Sequence, residues 1–540
     1  MKDTAHRKGQ TGAARAPSRP EPAAFIRDED GSMLLFGLYL FMGIILIGGI
    51  SVDIMRNEYS RLGLQNTVDT AVLAAADLDQ KLDPEDVVND YFEKAGMSQY
   101  LDSISVVEHL NSRTVTASSS VDVSTLFVST LGVTSMPARA MGTAHEEISD
   151  IEISLVLDVS GSMGWDSRLS EMKQAASNFV NTVLSDERAT EGGGEVSISI
   201  VPYSTQVNIG STVTDQMNLS YRHNYSNCVD FNSNDFSTMA LPTGNRNQTG
   251  HFDPWTRTSP PSTFVCRNDP AFKVQPLTEN KAALLAQIAA LTPNGNTSTD
   301  VGLKWGAAML DPSFRNITDD LIAAGDVSST FNDRPYDYNR PNTMKVLVVM
   351  TDGAHTDQFM LRNQYNTGMS DVWGRQYSDG TWRYSVDHRE NGNEDGDSIR
   401  DERWYLPRTD NWNNTRDGGD SSSQRLSYQQ LWSAASLGFN AYNMWYTQNN
   451  NANLYWGWYR DPRDFVPPSV KNDRMTSICA EAKSKGILVF SVAFEINEAD
   501  ATLMKACASS ENHYFHVDGE DIIYAFSAIA STINQLRLIQ

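Results

Sequence analysis

Residues 33–52 read MLLFGLYLFMGIILIGGISV, 20 residues without a charge. At ~1.5 Å rise per residue, a helix of that length is roughly 30 Å long, the depth of one bilayer core. A soluble core helix is seldom apolar all round and bracketed by charge. This run is bracketed by Arg27 to Asp30 before it and by Asp53 and Arg56 after it. A cleaved signal peptide would carry a shorter apolar stretch ending in an A-x-A-like site. The run is long and follows a 32-residue polar tail, so an uncleaved anchor is expected. Basic residues close to it are balanced, Arg19 and Arg27 against Arg56 and Arg61. The tail is short and rich in Ala, Pro and Arg, and every Cys follows the span, which suits an oxidising compartment. The expectation is a single-pass membrane protein with residues 1–32 in the cytoplasm and the bulk of the chain across the membrane from them.

The remaining length, 540 residues in all, exceeds one hydrophobic core, so further domains must follow. Forty-three Lys and Arg against 67 Asp and Glu give a net charge of −24, which argues against nucleic acid as a partner. A hydrophobic fraction of 40% with 11 Trp excludes a disordered or collagenous chain.

Residues 53–80 continue as a helix, with apolar positions Met55, Leu62, Leu64, Val68, Val72 and Leu73 and no Pro. A plain amphipathic stalk would read the same way. The run LQNTVDTAVLAAA is more distinctive. With Gly31 before the apolar helix, Asp53 after it, and Leu64-Gln65-Asn66, Asp69, Ala71 and Ala74 to Ala76 beyond, residues 31–76 resemble the N-terminal module of TadE/TadG-like Flp pilus-assembly proteins. The sequence departs from that pattern at Thr67, Val68 and Thr70. A helix over 83–96 and alternating, Val/Ser/Thr-rich strands over 103–136 complete a small α+β module ending near residue 148.

From residue 149 the pattern changes. An apolar strand at 151–157 ends in Asp158-Val159-Ser160-Gly161-Ser162, and a helix follows at 169–184. Strands at 196–203, 345–350, 487–494 and 514–517 alternate with helices at 279–291, 301–310, 477–485, 498–507 and 520–536. That order predicts an α/β, doubly wound, mostly parallel sheet. Ligands bind such sheets outside the carboxyl ends of the strands. Asp158 and Asp352 both fall at such ends, and Ser160, Ser162 and Thr297 lie on neighbouring loops. Two carboxylates and three hydroxyls suit a hard divalent cation, Mg²⁺ first, with Mn²⁺ and Ca²⁺ as alternatives. Ordinary helix caps could explain any one of these residues but explain the set poorly.

This pattern resembles the von Willebrand factor type A fold with its metal-ion-dependent adhesion site. The family's D-x-S-x-S corresponds to Asp158, Ser160 and Ser162; its T-x-T-x-x-G loop places the ligand at Thr297 with Gly302 following; its T-D-G is Thr351-Asp352-Gly353. The resemblance implies metal ligands at Asp158, Ser160, Ser162, Thr297 and Asp352, and an open metal position that accepts an acidic side chain of a partner protein. A structural metal that only clamps the loops is the plainer reading.

Two polar stretches, 211–275 and 354–473, account for the length beyond one α/β domain. The second holds eight of the 11 Trp, too aromatic for a linker, and reads as a folded cap over the metal. Cys228 and Cys266 share the first stretch; Cys479 and Cys507 flank one strand near the end. Pairing within each group is the simplest of three connectivities, and free buried thiols are the alternative. Asn391, Asn393, Asp395 and Glu402, with Gly396 at the turn, have the spacing of a calcium loop, although Asn stands first, Ser398 replaces an aliphatic residue and a solvated acidic loop fits as well.

Together the two resemblances imply a TadG-like pilus-assembly or adhesion protein anchored in the inner membrane, with the bulk of the chain in the periplasm, working with pilus-assembly components and not an enzyme. A surface scaffold without a pilus role shares the same second domain. A metal-dependent hydrolase would need a base near the cation, and His355 is the one candidate in the motif loops. No GxSxG, P-loop or HExxH occurs.

Overall fold

The computed structural model describes residues 32–77, 82–108, 112–147, 150–184, 195–341, 343–387, 404–419 and 421–539. The tail before residue 32 and the calcium-type loop at 391–402 lie outside them. The chain divides into two compact units, Met1–Glu146 and Glu147–Gln540.

The first unit is built on α1 (Ser32–Ala76), one unbroken helix of 45 residues. Its first half leaves Met33, Leu34, Phe36, Tyr39 and Phe41 exposed. Among the described residues it is the one helix long and apolar enough to cross a membrane. Its second half buries Leu64, Val68, Ala71, Val72 and Ala75, the spacing of one helical face. That stripe packs on Val88 and Phe92 of α2 (Pro84–Lys94) and on Val115, Ala117 and Ala140 of a three-stranded sheet. The sheet has the order β1 (Leu101–Glu108), β2 (Ser112–Ser124), β3 (Ser135–Glu147). Asp83 starts α2 by accepting from Glu85 N, with Pro84 at the first helical position.

The second unit centres on a six-stranded sheet. Its members are β4 (Asp150–Asp158), β5 (Val196–Tyr203), β6 (Gln275–Thr278), β7 (Thr343–Thr351), β8 (Leu488–Phe494) and β9 (Tyr514–Val517), in the order β9-β8-β7-β4-β5-β6. Five strands run parallel; β6 pairs antiparallel on β5, so the sheet is mixed. Every residue of β4 and β5 is buried, which is why both read as continuous apolar runs. Edge strand β6 was not expected. Gln-Pro-Leu-Thr is four residues with a Pro, tolerable only at an edge and too short to signal a strand.

Helices α3 (Arg168–Val183), α4 (Lys281–Ala290) and α8 (Asp521–Ile539) share one core with Ile153, Leu155, Ile198, Val346 and Val492. Helices α5 (Thr299–Ala308), α6 (Pro468–Ser484) and α7 (Glu498–Cys507) share another with Val156, Val201, Val349 and Val489. Strand residues of opposite parity feed the two cores, so helices cover both faces of the sheet. Cys479 and Cys507 join α6 to α7 across a Cα separation of 5.1 Å, and Cys228 joins Cys266 at 5.9 Å.

The aromatic stretch is folded. Strands within 369–427 form a five-stranded sheet over Tyr405, Trp432 and Trp445. Phe252 and Val265, from the first polar stretch, complete that core. The two stretches therefore make one lobe, tied further by Leu437 N to Asp253 O and Ser436 N to Thr258 O.

Candidate functional site

Strands β4 and β7 are parallel neighbours with Leu157 opposite Met350, so their carboxyl ends bring Asp158 and Asp352 to one edge of the sheet. Asp158 Oδ1 accepts from Ser160 N at 2.8 Å, and its Oδ2 accepts from Thr351 Oγ1 at 2.7 Å and Tyr203 OH at 3.2 Å. Ser160 Oγ and Ser162 Oγ lie 3.1 Å apart, and Ser162 Oγ donates to Asp352 Oδ1 at 2.7 Å. Four of the expected residues thus form one hydrogen-bonded chain from carboxylate to carboxylate.

Thr297 reaches this region by its loop. Gly161 N donates to Gly295 O and Asn294 N to Val159 O, zipping the Thr loop to the Ser loop. On its other side Thr297 N donates to Thr356 Oγ1, while Thr297 O accepts from Thr356 N and from Lys471 Nζ at 2.5 Å. Among the described residues no hydrogen bond joins Thr297 to the carboxylate chain. Gly302 explains how close α5 can come: a Cβ there would fall 2.7 Å from Tyr203 Cδ1 and 2.9 Å from Val156 Cγ1. The glycine lets α5 press on the tyrosine that holds Asp158.

The electrostatics follow from burial. Asp158 is fully buried; desolvation and the neighbouring Asp352 raise its carboxyl well above the usual range, against the donors from Ser160 and Thr351. Burial also raises Asp352, opposed by Ser162 and Arg168. Asp158 and Asp352 are two buried carboxylates near enough to feel each other's charge, and apart from one guanidinium on Asp352 the side chains that bond them offer hydroxyl oxygen. That donor set fits a hard divalent cation. Among the described residues no three His, Cys, Asp or Glu side chains gather at one point, so a cation here would lean on the hydroxyls.

Sequence reasoning missed four participants. Arg168 Nη1 binds Asp352 Oδ2 at 3.1 Å, and its Nε binds Glu495 Oε2 at 2.6 Å. Glu495 follows β8 in a left-handed conformation, φ 52°. Tyr203 ends β5 as an ordinary apolar position would. Lys471 is fully buried and also binds Ser298 Oγ and Thr356 O, each at 2.7 Å. It fastens the far end of the aromatic stretch to the Thr loop. No local pattern announces any of them, since an Arg or Lys on a helix reads as solvated. His355 is not exposed: Nε2 accepts from Asp300 N at 3.2 Å, in the first turn of α5, and Nδ1 meets Asn472 Oδ1 at 2.7 Å.

No curated protein matches the chain. Among solved structures, the vWF domain of the type V pili tip protein Mfa5 from Porphyromonas gingivalis overlaps at 18% identity and TM-score 0.31, over 72% of this chain and 96% of that one. The pilus adhesin SpaC from Lactobacillus rhamnosus GG overlaps at 12% identity and TM-score 0.31, over 80% of this chain and 33% of that one. The pilus adhesin RrgA from Streptococcus pneumoniae does so at 11% and 0.30, over 81% and 50%. Residues 31–78, the apolar half of α1 and the LQNTVDTAVLAAA stretch beyond it, match the model of the family described as "Putative Flp pilus-assembly TadE/G-like".

Proposed function

We propose that the protein is a membrane-anchored pilus-assembly or adhesion component, held in the inner membrane by α1 with its second unit in the periplasm. The match of residues 31–78 to the TadE/G-like family carries the pilus part of this reading. Partners there are other pilus-assembly components. In the second unit, Asp158, Ser160, Ser162, Thr297 and Asp352 hold a divalent cation, Mg²⁺ by preference. The chain of contacts from Asp158 through Ser160 and Ser162 to Asp352 supports this, because it already clusters hard oxygen donors around two buried carboxylates, of which Asp158 has no cationic partner in hydrogen-bond reach among the described residues. A bound cation of this kind supplies an open position for an acidic side chain of a partner protein. The chain's own residues orient the carboxylates and lock the three loops together.

Binding, rather than catalysis, is the role this site supports. The nearest candidate base, His355, is buried with both ring nitrogens engaged. One observation favours a second reading. Arg168 already places a cation on Asp352, as a closed structural site in a scaffold would need.

Isothermal titration of Mg²⁺ and Mn²⁺ into the full chain in detergent, beside Asp158→Ala, separates the two. Saturable binding lost in the variant is the expected result. A folded wild-type chain that takes up neither ion would leave Arg168 as the site's permanent cation and the scaffold reading in its place.

A further inference from the structure

The first unit carries an apolar surface that the anchor alone does not explain. Residues 123–138 contain no charge. Within them the loop between β2 and β3, residues 126–133, reads LFVSTLGV and exposes Leu126 (60%), Leu131 (59%) and Val133 (45%). Phe127 is partly covered, because its ring lies on α1 at Gly49: a Cβ there would meet Phe127 Cγ at 2.3 Å.

Three residues of α1 fix the height of this loop along the helix. Asp53, nearly fully buried, accepts from Leu126 N at 2.9 Å, Phe127 N at 2.7 Å and Val128 N at 2.8 Å. Arg56 Nη1 donates to Ser124 O, and Asn57 Nδ2 donates to Met136 O. The strand ends therefore sit at residues 56–57, the loop's backbone at 53, and Phe127 at 49. Gly49 is three residues inside the uncharged run, ~4.5 Å along the helix axis.

Many of the loop's polar groups bond within the loop. The hydroxyls of Thr125, Ser129 and Thr130 donate to the carbonyls of Val133, Leu126 and Phe127. Thr125 N, Gly132 N and Val133 N donate to Thr134 O, Ser129 O and Val128 O. Internal satisfaction of this kind is what a segment needs in a medium without water.

We propose that residues 126–133 form a second membrane contact, a wedge that seats Leu126, Phe127 and Leu131 in the outer interfacial layer of the same bilayer that α1 spans. The inference rests on the anchor reading of α1. Its occupant is lipid because the loop is clamped at the level where the uncharged run ends. A penetration of ~5 Å is typical of interfacial apolar side chains. The wedge also fixes the tilt and rotation of α1, since the loop leaves the helix on one side only.

The test uses the full chain in liposomes, with lipids brominated near the headgroup for the labels at 93 and 131 and near the acyl-chain ends for the label at 41. Both native disulfides are closed, so an introduced cysteine takes the label alone. An environment-sensitive fluorophore at Leu131→Cys should emit to the blue of the same label at the exposed Glu93→Cys and be quenched by at least about two-fold. A label at Phe41→Cys, inside the span, reports on the anchor. If position 41 is quenched while position 131 stays as aqueous as 93, the wedge is wrong and the anchor stands. If position 41 is unquenched, the anchor itself fails. A blue-shifted but unquenched label at 131 means a protein covers the loop, which overturns lipid as its occupant. Asp53→Ala should weaken quenching at 131 without affecting 41; unchanged quenching would overturn the clamp.

Discussion

Asp158 is a buried carboxylate met by a backbone N–H and two hydroxyls, with Asp352 close enough to raise its proton affinity. The folded state therefore binds a proton more tightly than the unfolded chain does. For a carboxyl raised on folding, the linked stability is greatest below the ordinary carboxylate range and is lost as pH rises through the folded value. Without metal, the second unit should unfold at lower urea as pH goes from about 5 to about 8, losing on the order of 1–3 kcal/mol. Arg168 offsets part of this through Asp352, so Arg168→Gln should steepen the loss and Asp158→Asn should flatten it. Mg²⁺ at neutral pH should reverse the trend, because it replaces the missing proton. A urea midpoint that is flat from acid to neutral pH would mean the carboxylates are already compensated.

At the scale of elements, α5 is the part on which the site's geometry turns. It lies so close to β4 and β5 that Gly302 and Gly306 have no room for a side chain; at Gly306 a Cβ would fall 2.4 Å from Val156 Cγ2. Gly302→Ala should cost about 1–3 kcal/mol of stability by overpacking against Tyr203, and should weaken metal binding because Tyr203 holds Asp158. Denaturant unfolding and metal titration on one preparation check both; a variant as stable as the parent would show that α5 can slide away. This tight seam also separates what could be read in the sequence from what could not. Strands β4, β5 and β7 are buried on both faces, so their apolar runs and terminal motif residues stand out. Tyr203 looks like one more strand residue, and its hydroxyl contact with Asp158 needs the register of two strands to appear. Lys471 and Arg168 carry charges that a helix normally turns to water, and their partners lie on loops nearly 175 and 185 residues away. The shared core of the polar stretches joins Phe252 to Trp432, a pairing no local periodicity encodes. In the first unit Asp53 reads as the charge that ends an apolar helix, while its three backbone partners lie more than 70 residues on.

For the whole molecule, the side of the membrane on which the second unit sits can be tested through its cysteines. All four follow α1, and all are paired and buried, so among the described residues no free thiol remains. A disulfide closing a loop of 38 or 28 residues contributes roughly 3–4 kcal/mol, a large share of a domain's margin, but persists only where the compartment is oxidising. The cytoplasm-in orientation of the tail therefore requires both bridges to form in the cell. Cells should be quenched in acid, the chain denatured without reductant, and thiols counted by the mass shift of a maleimide polymer. The expected chain takes up no polymer as isolated and four after reduction. Labelling at all four positions before reduction would put the second unit in the cytoplasm and reverse the topology. The stability term gives the same experiment a second readout. Cys479→Ala with Cys507→Ala releases α6 from α7, and α6 carries Lys471 to the Thr loop. That pair should lower unfolding resistance by about 3 kcal/mol and should loosen metal binding as well. Loss of stability with unchanged metal affinity would mean that Lys471 holds the Thr loop without help from the bridge.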